Sequence, residues 1–167
     1  MASLNRRVAL IYMPFADCEM PALGLSLLKS GLSRVSIDST IFYLNLLLGR
    51  MIDYSTYRSV SNGEPAVHDL VGEWIFSESL WGADPERDRH YMDRVMLGED
   101  AAHRKSSVDR EFITRVLDAR KHVEPFLDLC LKQADWGQYA VVGFSSSFQQ
   151  QVASLSLAKR MKERMND

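Results

Sequence analysis

The sequence contains few of the residues that cross-link chains or bind metals. Its 167 residues include two cysteines and four histidines. Cys18 and Cys130 lie far apart, and neither belongs to a C-x-x-C or a cysteine and histidine ligand spacing, which argues against a disulfide framework and against a zinc site. The histidines are equally scattered. We therefore expect two reduced thiols and no metal site made by protein side chains.

The sequence also lacks a strong charge imbalance and a long apolar run. With 20 basic against 22 acidic residues, it does not offer the basic surface that nucleic acids and anionic membranes attract. No apolar run approaches the roughly 18 to 20 residues that span a bilayer, and the start MASLNRRVALIYM lacks the features of a signal peptide. We expect a cytoplasmic protein that binds neither nucleic acid nor membrane.

Motifs for phosphate binding and serine hydrolysis are missing as well. The sequence has no G-x-G-x-x-G and no G-x-x-x-x-G-K-[ST], the glycine-rich loops that hold dinucleotides and nucleoside phosphates. The stretch GFSSS lacks the glycine that follows the serine in a nucleophile elbow. These absences argue against dinucleotide binding, against nucleoside phosphate binding and against serine hydrolase chemistry.

What the sequence does have is enough apolar material, 46% of its residues, for one folded core. Val8 to Met13 is a short apolar run that predicts a buried strand. A helix from Pro21 to about residue 33 and a second strand from about Ser36 to Leu44 follow. Because right-handed crossovers turn such a unit into neighbouring parallel strands, we predict a Rossmann-like parallel sheet.

The middle of the chain changes pattern. Helical spacing of apolar residues runs from about 46 to 135, a helical insertion between strands two and three. Within it, Asp84 to Arg110 carries thirteen charged residues of both signs, typical of a solvated surface or a mobile loop. A third strand is predicted at Tyr139 to Phe144, followed by a last helix. We predict one α/β domain over 1–167.

Such a sheet normally continues into more strands. We therefore expect the front part of a longer polypeptide. A natural small protein that dimerises through the exposed sheet edge is the alternative.

Ligands of open parallel sheets sit beyond the carboxyl ends of the strands, where the loops 14–19, 43–45 and 145–150 should meet. Small serines there let a large planar ligand approach the backbone, and a serine can also cap the next helix. Ser146 with Gln149, or Ser147 with Gln150, has the spacing of a capping box. The free backbone N–H groups at the start of that helix can donate hydrogen bonds to a phosphate or carboxylate. Serines that only cap and glutamines that only face solvent are the structural alternative.

Several segments carry a family resemblance. VALIYMPF, PALGLSLLKSGL, IFYLNL, LVGEWIF and DWGQYAVVGFSSSFQQQVASLSLAKRMKER resemble, in this order, the amino-terminal region of cobalamin-dependent radical S-adenosylmethionine proteins. The nearest group matures ribosomally made peptides as C-methyltransferases. The resemblance implies a Rossmann-like cobalamin-binding domain, followed in those proteins by a radical barrel with a four-iron four-sulfur cluster bound through C-x-x-x-C-x-x-C.

This chain has no such cysteine motif, so the resemblance places S-adenosylmethionine and the cluster in a carboxy-terminal radical domain of the same polypeptide. The present chain would then have no catalytic residues and would act with that domain on a peptide substrate. A second departure is the loop MPFADCEMPALG, which lacks the histidine of D-x-H-x-x-G. The resemblance therefore implies a cobalamin with a displaced nucleotide tail and no histidine on cobalt.

Carried over residue by residue, the resemblance implies a cobalamin site at the strand ends, with the leucines of helix 21–33 as a wall. Trp74 and Trp81 would either shield the cofactor or, as their spacing favours, pack in the core. A rival interpretation is a non-catalytic interaction domain without cofactor, with the helical middle as its partner surface. The implied cofactor-binding residues are Pro14, Phe15, Ala16, Gly24, Asn45, Ser145, Ser146, Ser147, Phe148, Gln149 and Gln150.

Overall fold

A parallel sheet of three strands organises the molecule. The computed structural model describes residues 7–65, 67–98 and 108–166. The strand order is β2-β1-β3, and both neighbours run parallel to the central strand. This architecture confirms the predicted Rossmann-like α/β fold with a helical insertion. The strands are β1 (Val8–Tyr12), β2 (Ser39–Tyr43) and β3 (Val141–Ser145).

One helix connects the first two strands, and a group of helices connects the second and third. Short 3₁₀ turns at Val67–Asp69 and Trp136–Gln138 and a π-helical segment at Tyr91–Met96 complete the insertion. The helices are α1 (Leu23–Arg34), α2 (Asn45–Met51), α3 (Tyr54–Ser61), α4 (Val71–Trp81), α5 (Pro85–His90), α6 (Arg110–Lys121), α7 (Val123–Leu131) and α8 (Gln151–Asn166).

The two faces of the sheet are covered differently. Because side chains alternate along a strand, Leu10 of β1 points to the face covered by α1, where it packs with Ala22 and Leu25. Ala9 and Ile11 point to the opposite face and join the main core. That core lies between the sheet and the helical insertion together with α8. Its largest fully buried side chains include Tyr57, Phe76, Phe126, Leu48 and Leu127.

Element ends differ from prediction by a few residues. β2 begins at Ser39 because α1 continues to Arg34 and Ser36 takes a left-handed conformation with φ 59°. α1 begins at Leu23, so Pro21 precedes the helix instead of lying in its first turn. β3 begins at Val141, after the 3₁₀ turn that orders the preceding residues.

The charged stretch is folded where the structure describes it. α5 has no buried residue, as expected of a solvated surface, but its Asp88 accepts a hydrogen bond from the indole N–H of Trp74 at 3.1 Å. Arg120 donates to Asp88 at 2.9 Å and lies 4.1 Å from the centre of the Trp74 ring. Trp74 stacks on Tyr91 at 4.7 Å. Residues 99–107 of this stretch lie outside the described residues.

Candidate functional site

The loops after β1 and β3 meet at the carboxyl edge of the sheet. Tyr12 lies opposite Ser145 in the strand register. Beyond the strands, the backbone N–H of Phe15 donates to the carbonyl of Gln149 at 3.3 Å. β1 continues into α1 on one face, whereas β3 continues into α8 on the other face. The chain therefore diverges at this point, which is where open α/β sheets bind ligands.

The loop after β1 points its side chains inward. Phe15 is buried and packs against the rings of Tyr57 and Phe76, with ring centres 5.1 Å and 6.2 Å away. The hydroxyl of Tyr57 donates to the carbonyl of Ala16 at 2.6 Å. Pro14 is buried as well. The structure thus places these three predicted site residues together at the strand ends, but as an interior support for the loop.

Asn45 stands at the start of α2 and joins the loop after β1 to this helix. Its amide nitrogen donates to the carbonyl of Asp17 at 3.1 Å, and its side-chain oxygen is buried without a partner. The nearby Cys18 is half-buried, and this burial, which is the largest effect, raises the pKa of its thiol. Cys18 is therefore a neutral thiol at physiological pH.

Gln149 is held inside the protein by both ends of its amide. Its nitrogen donates to the carbonyl of Val60 at 2.7 Å, and its oxygen accepts from the backbone N–H of Gly72 at 2.5 Å. A side chain at Gly72 would lie only 2.7 Å from the Phe15 ring, so only glycine fits there. Gln150 is also buried, and its oxygen lies 3.5 Å from the N–H of Ser147.

The start of α8 is capped by a residue from a distant helix. Glu73 of α4 accepts from the N–H of Gln151 at 3.2 Å and of Val152 at 2.7 Å. The prediction that a serine hydroxyl caps this helix is therefore wrong: the helix begins at Gln151, after Gln149 has turned the chain with φ 63°. The free amides expected to receive an anionic ligand already hold a carboxylate of the protein.

The serines that precede this turn remain accessible. Ser146 and Ser147 are exposed, Ser145 is half-buried, and the Phe148 ring is 45% exposed. On the α1 side of the sheet, Val141 of β3 is 55% exposed. The carboxyl end of β3 thus presents small hydroxyls, backbone and one aromatic ring. These neutral groups suit binding through shape, hydrogen bonds and stacking.

Other predicted residues lie elsewhere. Gly24 is on the solvent side of α1, where an added Cβ would find nothing within 4 Å. Leu25 and the partly buried Leu32 pack against the sheet, whereas Leu23, Leu27 and Leu28 face solvent. Trp74 lies in the core, and Trp81 is exposed at the end of α4.

Two clefts illustrate the space on the surface of the molecule. One of about 470 Å³ lies between α7, α8 and the turn before β3, lined by Leu131, Trp136 and Arg164 among others. A smaller cleft of about 80 Å³ lies beside the strand ends between Cys18, Tyr54 and Arg58. Within the described ranges, no group of three or more histidine, cysteine, aspartate or glutamate residues is arranged to hold a metal ion.

Comparison with known proteins gave no match to a family model, to a curated protein or to a solved structure. The helices that the structure describes include none with the length and apolar character to cross a membrane.

Proposed function

We propose that this chain is the cobalamin-binding module of a radical S-adenosylmethionine enzyme that C-methylates a ribosomally made peptide in the cytoplasm. The proposal is supported by the resemblance of its sequence segments and by the β2-β1-β3 order of its parallel sheet. The observation that carries it is the neutral, accessible surface formed by Ser145, Ser146 and Ser147 at the point where the crossovers diverge.

A corrin ring is broad and nearly flat, so its site must be free of tall side chains. Ser146 and Ser147 meet this requirement, and their hydroxyls and backbone offer hydrogen bonds to the amides on the corrin edge. The partly exposed ring of Phe148 adds an apolar contact. Gln149 contributes through its backbone position, since its amide is bonded within the protein.

Among the described residues, the face of β3 toward α1 is only partly covered, and in this proposal it offers space for the displaced nucleotide tail. Val141, Gly143 and Ser145 share the face of the sheet to which Leu10 points. An ideal Cβ at Gly143 would make only ordinary contacts, 3.7 Å to the Leu10 side chain. This part of the sheet surface is therefore apolar and shallow, and it ends at the exposed Ser146 and Ser147.

In this proposal, the chain binds and orients the cofactor. Cys18 is the nearest thiol, and because burial raises its pKa it is poorly suited to bind cobalt as a thiolate. A bound cobalamin would supply a transferable methyl group, and Ser145, Ser146 and Ser147 would help to hold it. S-adenosylmethionine, the four-iron four-sulfur cluster and the peptide would be bound by the carboxy-terminal radical domain.

The test is a hydroxocobalamin titration of wild type and two tryptophan variants, followed by visible absorbance. Ser146→Trp places a large ring over the proposed site, so we expect its affinity to fall at least about tenfold. Ser33→Trp is the matched control, because Ser33 is an exposed serine at the far end of α1. Circular dichroism checks that both variants are folded.

Equal affinity of the two folded variants would overturn the placement of the site. No saturable binding by wild type would overturn the cofactor assignment itself and would favour the interaction domain without cofactor.

A further inference from the structure

Helix α1 carries an apolar stripe that no other described residue covers. The stripe includes a methionine just before the helix and a valine just after it. Their exposed fractions, with those of the two central leucines, are 65% for Met20, 65% for Leu27, 55% for Leu28 and 63% for Val35. Exposed apolar residues scattered singly are ordinary, but a contiguous row marks an interaction surface.

The row is continuous because its members follow the helical repeat. Gly24, Leu27, Leu28 and Gly31 are spaced by three, one and three residues, so they lie along one side of the helix. Met20, which precedes the helix, and Val35, its C-cap residue, are the exposed apolar residues at the two ends of this row. We call these six residues the α1 stripe. A different side of α1, marked by Leu25, packs on the sheet.

The six residues of the α1 stripe are arranged symmetrically about its centre, whereas Leu23, 70% exposed at one end of the helix, has the partly buried Leu32 as its counterpart. From the midpoint between Leu27 and Leu28, the two glycines lie at equal distances along the chain, and so do Met20 and Val35. Two such helices that cross antiparallel about a two-fold axis at this midpoint bring glycine opposite glycine. The leucines of one helix then interdigitate with those of the other. A self-complementary patch of this kind is what a two-fold interface requires.

The glycines serve no packing purpose within a single copy of the chain. An ideal Cβ at Gly24 or Gly31 finds nothing within 4 Å, and glycine weakens a helix compared with alanine. In an antiparallel pair, their missing side chains let the two backbones approach closely and leave room for the leucines of the partner.

The charges at the ends of α1 favour the same arrangement. Glu19 and Asp17 are exposed before the helix, and Arg34 is exposed in its last turn. In an antiparallel pair, the acidic end of each helix lies beside the basic end of the other. The positive end of each helix dipole also lies beside the negative end of the other, which is favourable. A parallel pair would place like charges together.

We propose that the chain forms a two-fold symmetric dimer in which the α1 stripes of two copies pack antiparallel. The stripe supplies the apolar centre, and the polar side chains around it supply the rim that such interfaces have. Stable interfaces bury about 800 Å² on each partner, so adjoining surface at both ends of α1 must contribute. The proposal does not depend on cobalamin, because the strand-end serines are not part of the stripe.

Sedimentation velocity of the 167-residue chain at several concentrations tests the proposal. We expect a species of twice the monomer mass of 19.0 kDa. Leu28→Glu buries a charge at the axis and should raise the dissociation constant at least about tenfold. Leu155→Glu is the matched control, because Leu155 of α8 is also 55% exposed but lies off the stripe. Its dissociation constant should equal that of wild type.

Gly31→Leu separates a packed helix pair from general apolar adhesion. It adds apolar surface to the stripe, so adhesion would become stronger. In the proposed pair it blocks the approach of the backbones, and we expect weaker association. Stronger association of this variant, a monomeric wild type up to about 100 µM, or a dimer unaffected by Leu28→Glu would each overturn the proposal. The last result would point to another surface, such as the free edge of β3.

Discussion

Replacing Gln149 by alanine tests how the turn between β3 and α8 is held. Gln149 and Gln150 are adjacent, chemically identical and equally buried, each 2% exposed. Their side chains nevertheless make different hydrogen bonds. Gln149 bonds to the backbone at Val60 and Gly72, whereas Gln150 makes one long contact of 3.5 Å with the N–H of Ser147. Alanine at either position should leave a similar cavity.

The difference between the two variants therefore isolates the hydrogen bonds of Gln149. Gly72 lies in the first turn of α4, where amides have no acceptor within the helix, so losing Gln149 leaves a buried donor unpaired. That costs about 1–3 kcal/mol. The carbonyl of Val60 still accepts from the N–H of Gly63 at 3.0 Å. Losing its hydrogen bond with Gln149 therefore adds little to the cost. We expect Gln149→Ala to be less stable than Gln150→Ala by about 1–3 kcal/mol.

Urea unfolding followed by circular dichroism measures this difference, provided that both variants have the same slope. Thermal unfolding should show Gln149→Ala melting about 3–10 °C below Gln150→Ala. Equal unfolding midpoints, or a lower midpoint for Gln150→Ala, would refute the hydrogen bonding described for Gln149.

Two further predictions concern helix caps, and the same urea titrations check them. Glu73→Ala removes the acceptor for the amides of Gln151 and Val152, so stability should fall by about 1–2 kcal/mol, and a loss under about 0.3 kcal/mol would contradict the cap. Asp53 caps α3, and the Ser55 hydroxyl, as the largest cause, helps to hold its pKa at about 2. Because this value lies below the unfolded pKa near 3.9, the stabilisation is fully present above that pH and is lost as pH falls through about 2. Asp53→Ala should therefore cost about 1 kcal/mol near neutral pH and much less near pH 2, whereas a pH-independent cost would contradict the assignment.

The sequence predicted those parts of the fold that are governed by local pattern. The apolar runs that became β1 and β3 are short and end at residues that interrupt the apolar pattern, Arg7 and Pro14 for the first and Gln138 and Ser145 for the second. Their strand character can therefore be predicted from the local sequence. The helical spacing of the insertion is equally local. The parallel pairing of β1 with β2 followed from the general rule for crossovers between neighbouring strands, and the structure confirms the parallel sheet. The position of β3 on the other side of β1 was not predicted.

The prediction for the strand-end loops depended on contacts that no local pattern reveals. Ser146 and Ser147 look like caps because serine is the usual capping residue, yet Glu73 caps α8 from 78 positions earlier in the chain. Gln149 looks solvent-facing in the sequence, but Gly72 leaves the space into which its amide turns. Gly72, near the start of α4, was the one signal of this contact in the sequence, and it did not indicate that Gln149 is its partner.

The central claim is that the exposed serines after β3 form part of a cobalamin site, and retention of the cofactor tests it most directly. The chain is mixed with excess hydroxocobalamin, desalted, and examined by visible absorbance and protein assay. The account predicts about one corrinoid retained per chain, with a spectrum that shows no nitrogen ligand below cobalt. A protein that emerges free of corrinoid, or that binds it through a histidine, would contradict the account.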